Sequence, residues 1–180
     1  MVCSKLAKLV GILFRVKSFY PPIILKQLYF SLAYPYLIYG VLVWGKACKS
    51  ILNPLKILHK RLIRLISGSD YLAHTSPLFK TLSLLKFDDI YSLLVLEHMF
   101  KTLVLNNYPS LKNKICQIQP SHLYNTRCTN LTLPRCLHKC RQSLLYQGIY
   151  HWNSIPSNMK NLSSFHSFKK YCKQFLISKY

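Results

Sequence analysis

Apolar residues recur every three or four positions through the first two thirds of the chain and again near its end. In residues 5–19 this spacing predicts an amphipathic helix. Pro21 and Pro22 suit the start of a second helix, which runs to about Leu32, because proline fits the first helical turn. Pro35 is expected to break or kink the apolar stretch that follows. The pattern therefore predicts packed helices.

The strongest helix signals lie between residues 53 and 68. Asn53 is expected to cap free backbone N–H groups, Pro54 fits the first helical position, and Gly68 suits a left-handed residue after the last turn. Leucine and isoleucine side chains form one face of this helix. Another face is basic, and its members are Lys56, Lys60, Arg61 and Arg64. No acid lies within the helix to pair with them, so a phosphate-facing stripe competes with an ordinary solvated face.

The predicted organisation has three parts. Residues 1–105 form a helical domain whose last helix starts near Asp88. Residues 106–142 have weak periodicity, three prolines and six bases, which predicts a basic loop or linker. Residues 143–180 recover helical periodicity and end in a helix that either Ser163 or Ser164 can start. The predicted fold class is mainly α: a helical bundle, a basic irregular segment and a C-terminal helix.

The charge balance narrows the possible functions further. The chain has 25 lysines and arginines against 4 acids, a net charge of +21. The acids are confined to one stretch and are Asp70, Asp88, Asp89 and Glu97. Catalysis that needs well-separated carboxylates, as in glycosidases, or acids converging on metal ions, as in polymerases, is nearly excluded. A chain that cannot neutralise itself implies an anionic partner: nucleic acid, an anionic membrane surface or an acidic protein.

Membrane association is a second hypothesis. Residues 27–45 form an uncharged stretch between Lys26 and Lys46 that reaches the length of a single transmembrane span. Its tyrosines are spread through the stretch instead of lying at the edges, and Pro35 sits near its middle. Two packed helices that meet at Pro35 fit this composition better than a membrane span.

The spacing of cysteines and histidines supplies a third hypothesis, a zinc-stabilised interaction module. The candidate ligands are Cys128, Cys136, Cys140, His122 and His138. They contain no CxxC pair, and a small buried thiol is the ordinary alternative. The chain has seven cysteines without a framework spacing, and lysines and arginines interrupt its N-terminal apolar stretch. Both features favour reduced thiols in an intracellular protein.

Several short motifs, taken in order and spacing, carry a resemblance that covers nearly the whole chain. They are Tyr34-Pro35-Tyr36-Leu37-Ile38-Tyr39-Gly40, Val43-Trp44-Gly45, Leu55–Ile66 with Lys60-Arg61, His74-Thr75-Ser76-Pro77-Leu78-Phe79, Leu85-Lys86, Asp89-Ile90, Tyr124-Asn125-Thr126-Arg127, Gly148 with Trp152-Asn153 and Pro156, and Phe168-Lys169. With these motifs the chain resembles the region just after the polymerase palm in non-LTR (LINE-type, jockey-like and CR1-like) retrotransposon reverse transcriptases of animals. His59 stands where that family usually has glutamine.

The resemblance implies the thumb and C-terminal segment of an RNA-directed DNA polymerase. Its partners would be the RNA template and DNA primer duplex, and the fingers and palm that precede this sequence in the parent enzyme. The family's catalytic aspartates, which hold Mg²⁺, belong to the palm, and no position here matches them. Asp88 and Asp89 follow Phe87 directly, whereas the catalytic motif is aromatic-x-Asp-Asp in a hairpin, so we interpret them as helix-start residues. No catalytic residue and no cofactor are therefore expected in this chain.

The expected nucleic-acid-binding residues fall into two groups. The first is the basic face formed by Lys56, Lys60, Arg61 and Arg64. The second lies in the irregular segment and consists of Arg127, Arg135, Lys139 and Arg141. Phosphate contacts position a duplex without reading its sequence. Charge reversal at Lys60 and Arg64 is therefore expected to weaken binding to all sequences about equally.

Overall fold

The computed structural model describes residues 2–118 and 130–180, with His138 and Lys139 described by their backbone alone. The described chain is helical and contains no strand, which confirms the predicted mainly α fold. The helices are α1 (Val2–Val16), α2 (Pro22–Leu28), α3 (Tyr34–Ile38), α4 (Val41–Trp44), α5 (Lys49–Ser67), α6 (Thr75–Thr81), α7 (Phe87–Leu103), α8 (Pro109–Ile118), α9 (Leu144–Ser154), α10 (Ser157–Lys160) and α11 (Phe165–Ser178). A π-helical turn, Tyr29–Ala33, joins α2 to α3, and a 3-10 turn, His138–Gln142, precedes α9.

The helices group into two units. The first unit is Met1–Tyr91 together with Leu176–Tyr180, and the second is Ser92–Phe175. In the first unit α5 packs against α1, α2 and α6. The buried side chains of its core include Leu6, Leu37, Leu62 and Ile66.

The predicted break at Pro35 does not occur, because a π-helical turn precedes Pro35 and the chain continues directly into α3. The N–H of Tyr34 donates to the carbonyl of Tyr29, five residues earlier, and α3 starts there with Pro35 in its first turn. Such a wider turn accommodates a residue that has no N–H to donate. The turn also buries Tyr29 and Ala33 in the core.

The apolar stretch at residues 27–45 is divided into short pieces. After Ile38 the backbone turns at Gly40, whose φ of 62° lies in the left-handed region that glycine tolerates, and α4 follows. Among the helices in the described ranges, none combines the length and the apolar character that crossing a membrane requires.

The Trp44-Gly45 motif is explained by packing in the first unit. Trp44 stacks on Phe87 with ring centroids 5.6 Å apart, and its Nε1–H donates to the carbonyl of Tyr39 at 2.8 Å. A Cβ added to Gly45 would collide with the ring of Tyr91. Only glycine therefore lets α4 end against Tyr91.

Helix α5 is one turn longer than predicted. It begins at Lys49, so Asn53 is not its cap and Pro54 lies inside the helix rather than at its first position. A proline inside a helix removes one backbone hydrogen bond, but the additional turn buries Leu52, which offsets that loss. The end is as predicted: Gly68 has a φ of 67° and its N–H donates to the carbonyl of Leu65.

The second unit contains a helix where irregular structure was expected. Residues 109–118 of the predicted loop form α8, whereas residues 130–137 have no regular secondary structure. In α8 only Ile115 is fully buried, so its apolar periodicity is too weak to stand out in the sequence.

An aromatic cluster forms the core of the second unit. Phe168 has no exposed surface, and its ring stacks on Phe100 at a centroid distance of 4.3 Å and lies 5.9 Å from the ring of Trp152. One helical turn on, Cys172 is also buried, as the spacing of α11 predicted. The Lys169 ammonium lies on the exposed side of α11, 3.1 Å from Oε1 of Glu97, and forms an ion pair with it.

Asn153 holds the segment that contains residues 130–137. Its Oδ1 accepts from the N–H of Leu131 at 2.9 Å, and its Nδ2 donates to the Leu131 carbonyl at 2.7 Å.

Asn153→Ala removes both bonds, and we expect it to lower the free energy of unfolding by about 1–2 kcal/mol. Urea denaturation would measure the loss. Asn158→Ala, an exposed asparagine of α10, is the matched control. Equal stability of the two variants would contradict the anchoring role.

Candidate nucleic-acid interface

The basic residues of α5 are divided between two clefts in the first unit. Lys56 and Lys60 line a cleft of about 370 Å³ formed by α5, α6 and the start of α7, here called the lysine cleft. Arg61 and Arg64 line a cleft of about 360 Å³ between α1 and α5, here called the arginine cleft. The lysine cleft is lined by Lys56, His59, Lys60, His74, Thr75, Ser76, Phe79, Lys86, Phe87 and Asp88. The arginine cleft is lined by Val10, Gly11, Phe14, Lys17, Arg61, Arg64, Leu65, Ser69 and Tyr71.

The two lysines of α5 differ in their surroundings. The Lys56 ammonium lies 2.8 Å from Oδ2 of Asp88, so an acid from outside α5 pairs with this part of the basic face. The pair is partly exposed to solvent and therefore contributes little to stability. Lys60 is exposed and has no carboxylate partner among the described residues. Of the two, Lys60 is the cation available to an anionic partner.

Lys86 brings a third lysine into the lysine cleft, and the sequence analysis did not select it. Its ammonium lies 4.2 Å from the centroid of the Tyr180 ring, and its backbone N–H donates to the Tyr180 hydroxyl at 2.8 Å. That hydroxyl in turn donates to Oδ2 of Asp89 at 2.8 Å. Burial raises the pKa of Tyr180 and of Asp89 above their ordinary values. Tyr180 therefore stays protonated and holds Lys86 in place.

The wall of the lysine cleft contains a buried histidine. His59 shares a hydrogen bond of 2.9 Å with the hydroxyl of Tyr29, and the ring of Phe79 packs on it edge to face. Burial lowers the pKa of His59 to about 3, and burial also raises the pKa of Tyr29. The pair is therefore neutral at physiological pH. His59 is thus a core residue with a satisfied hydrogen bond.

The arginines of α5 each use part of their hydrogen-bonding capacity within the protein. Nη2 of Arg61 donates to the Tyr71 hydroxyl at 2.9 Å, and Nε of Arg64 donates to the carbonyl of Ala73 at 2.9 Å. Both side chains are half-buried. A guanidinium has five N–H donors, so each arginine retains donors for a ligand. Their contacts also fix the loop that follows α5.

The second predicted group is described only in part. Arg127 lies outside the described residues, and the side chain of Lys139 does too. Arg135 and Arg141 are exposed residues of the second unit, and the Arg141 carbonyl accepts a hydrogen bond from Nε2 of Gln147 at 2.6 Å. Neither arginine has a carboxylate partner within the described ranges.

The described residues contain no cluster of three histidines, cysteines, aspartates or glutamates that could hold a metal ion. Of the candidate zinc ligands, Cys136 and Cys140 are free thiols, whereas Cys128, His122 and the side chain of His138 lie outside the described residues. Asp88 and Asp89 occupy the first turn of α7, as predicted, where their charge favours the helix dipole.

No protein-family model matches the chain, and no curated protein or solved structure is found to be similar to it. The geometry of the two clefts and the charge of the chain therefore carry the functional argument.

Proposed function

We propose that this protein is a nucleic-acid-binding segment that grips the sugar–phosphate backbone of a primer–template duplex. In this proposal it corresponds to the thumb and downstream region of a retrotransposon reverse transcriptase and has no catalytic site of its own. The observation that carries the proposal is the lysine cleft, where Lys60 and Lys86 converge on one opening in a chain of net charge +21.

The composition of the lysine cleft suits a phosphate group. Lysine is a flexible point charge that binds phosphate oxygens without demanding one geometry. Thr75 and Ser76 add hydroxyl groups to the lining, whereas His59 is neutral and adds no charge. These groups recognise a backbone and no base edge, which gives binding without sequence preference.

The contacts between Lys86 and Tyr180 support the same function. Binding of a phosphate is favoured by a lysine that is already ordered, because the conformational entropy lost when a mobile lysine is ordered on binding weakens the affinity. The Tyr180 ring under the Lys86 ammonium and the hydroxyl bond to its backbone provide that order before the ligand arrives. Lys60 stands on the rigid helix α5.

We expect the double change Lys60→Gln and Lys86→Gln to reduce the salt dependence of duplex binding. Each lost phosphate contact lowers the slope of log K against log salt by about 0.9 on B-DNA, so the double variant should lose about 1.8. Fluorescence anisotropy with a DNA duplex at several salt concentrations measures the slope, and an RNA–DNA hybrid should behave alike. Duplexes of different sequence should lose affinity equally.

Lys80→Gln is the matched control, because Lys80 is exposed in the same unit on α6 but does not line the lysine cleft. It removes the same charge and should leave the slope nearly unchanged. Arg64 is less suitable for this test than the sequence suggested, because its bond to Ala73 also supports the fold. Equal slopes for the lysine-cleft variant and the control would overturn the proposed grip.

A further inference from the structure

The arginine cleft combines exposed aromatic rings with cations. Phe14 is 60% exposed and Tyr71 is 66% exposed, although both side chains are large and aromatic. The two side chains line the same cleft, α1 supplying Phe14 and the loop after α5 supplying Tyr71. Two exposed aromatic rings at a cleft offer a surface on which a flat apolar ligand can stack.

Each of these rings carries a cation on one face. The Lys17 ammonium lies 4.9 Å from the Phe14 ring centroid, and the Arg61 guanidinium carbon lies 5.6 Å from that of Tyr71. The Arg61–Tyr71 hydrogen bond further orients the Tyr71 ring. The rings are thus held with charge beside them.

Gly11, in the lining of the arginine cleft, leaves open space beside α1. A Cβ built on Gly11 would meet no heavy atom within 4 Å, so no close packing contact requires glycine at this position of α1. Glycine inside a helix is less favourable than alanine, because it loses more conformational entropy on folding. The packing of the helix therefore does not require glycine at this position, and the space beside it is open to a ligand of the arginine cleft.

We propose that the arginine cleft binds an unpaired nucleobase, so that the protein also holds a single-stranded nucleic-acid segment. This inference rests on the proposed function and adds a second substrate class to the duplex. Single strands are held by aromatic platforms inside a positively charged groove, since every base offers a flat face. Phe14 and Tyr71 provide the platforms, and Lys17, Arg61 and Arg64 provide charge for the adjoining phosphates.

Charge complementarity selects this occupant over others. The lining of the cleft has three cations and no acid, so a second copy of this chain, with its net charge of +21, would be repelled. An anion with a flat ring matches both features of the cleft at once. An aliphatic anion or an acidic helix would use the charge but not the two ring faces.

The test compares variants on two probes, a short thymidine oligonucleotide and a DNA duplex. We expect Phe14→Leu with Tyr71→Leu to weaken single-strand binding about tenfold or more and to leave duplex binding nearly unchanged. Gly11→Leu should have the same effect by occupying part of the cleft, since a Cβ at this position meets no heavy atom within 4 Å. Phe19→Leu is the matched control, because Phe19 is 79% exposed and does not line the arginine cleft.

The outcomes separate this inference from the proposed function. Unchanged single-strand affinity in both cleft variants would overturn the inference while leaving duplex binding by the lysine cleft intact. An equal loss on both probes would also overturn it, because the cleft would then belong to the duplex grip. If the unmodified protein binds the single strand and not the duplex, the proposed function fails and the base site stands. Competition by an aliphatic phosphate at equal concentration would assign the cleft to an amphipathic anion and overturn the inference.

Discussion

Phe168→Ala is expected to destabilise the second unit by about 3–5 kcal/mol, the largest stability effect of any single change considered in this protein. The phenylalanine is fully buried between Phe100 and Trp152, so its removal loses apolar burial and leaves a cavity among rigid rings. The rings cannot close the space without losing their own stacking. Urea denaturation followed by tryptophan fluorescence measures the effect.

The two tryptophans of the chain make this experiment specific. Trp152 belongs to the second unit and Trp44 to the first, so a Trp44→Phe background leaves a reporter only beside Phe168. Tyr171→Ala is the matched control, since Tyr171 lies on the same helix but is 51% exposed. A loss for Phe168→Ala no larger than for Tyr171→Ala would show that the aromatic cluster does not hold this unit together.

The helices that could be predicted from the sequence are those with a strong apolar period. In α11, Phe168, Cys172 and Leu176 follow one another at intervals of four, and all three are buried. In α1, Leu6 and Leu13 are buried on the predicted face. Spacing alone is sufficient there, because one face of each helix meets the core and the other meets solvent.

The features that the sequence did not predict depend on contacts between distant segments. Helix α8 has one fully buried side chain, so its formation rests on packing around Ile115 rather than on a visible pattern. The early start of α5 depends on burial of Leu52, which outweighs the local preference that placed Pro54 at the first position. Local signals identified α5 and its C-terminal end at Gly68, whereas burial in the core decided where the helix begins.

In the candidate site, too, local sequence predicted some features, and others depend on contacts between distant segments. The sequence identified Lys60 as a cation on the basic face of α5, and the structure places it at an opening. It did not identify the acid that pairs with Lys56, because Asp88 lies 32 residues away. Lys86 could not be selected either, since the Tyr180 contact that orders it joins residues 94 apart. Charge along a helix indicates a partner, and tertiary contacts decide which charges remain for it.

The stability of the first unit is expected to depend on pH through His59. Its pKa is about 3 in the folded protein, because the imidazole is buried, against an ordinary value of 6.5. Between these values the unfolded chain binds a proton that the folded chain does not, so stability is lost as the pH falls below about 6.5. At about pH 4.5 the loss attributable to this residue should be about 3 kcal/mol.

His59→Gln isolates that contribution, because the glutamine amide can still bond the Tyr29 hydroxyl but does not titrate. We expect the variant to lose the pH dependence assigned to His59 when urea midpoints are compared between neutral pH and about pH 4.5. Tyr29→Phe is the complementary variant. It removes the hydrogen bond but keeps the burial that lowers the pKa, so it should reduce stability at each pH while retaining the slope. An unchanged slope in His59→Gln would show that folding does not lower the pKa of His59, and the wall of the lysine cleft would then gain a positive charge as the pH falls below about 6.5.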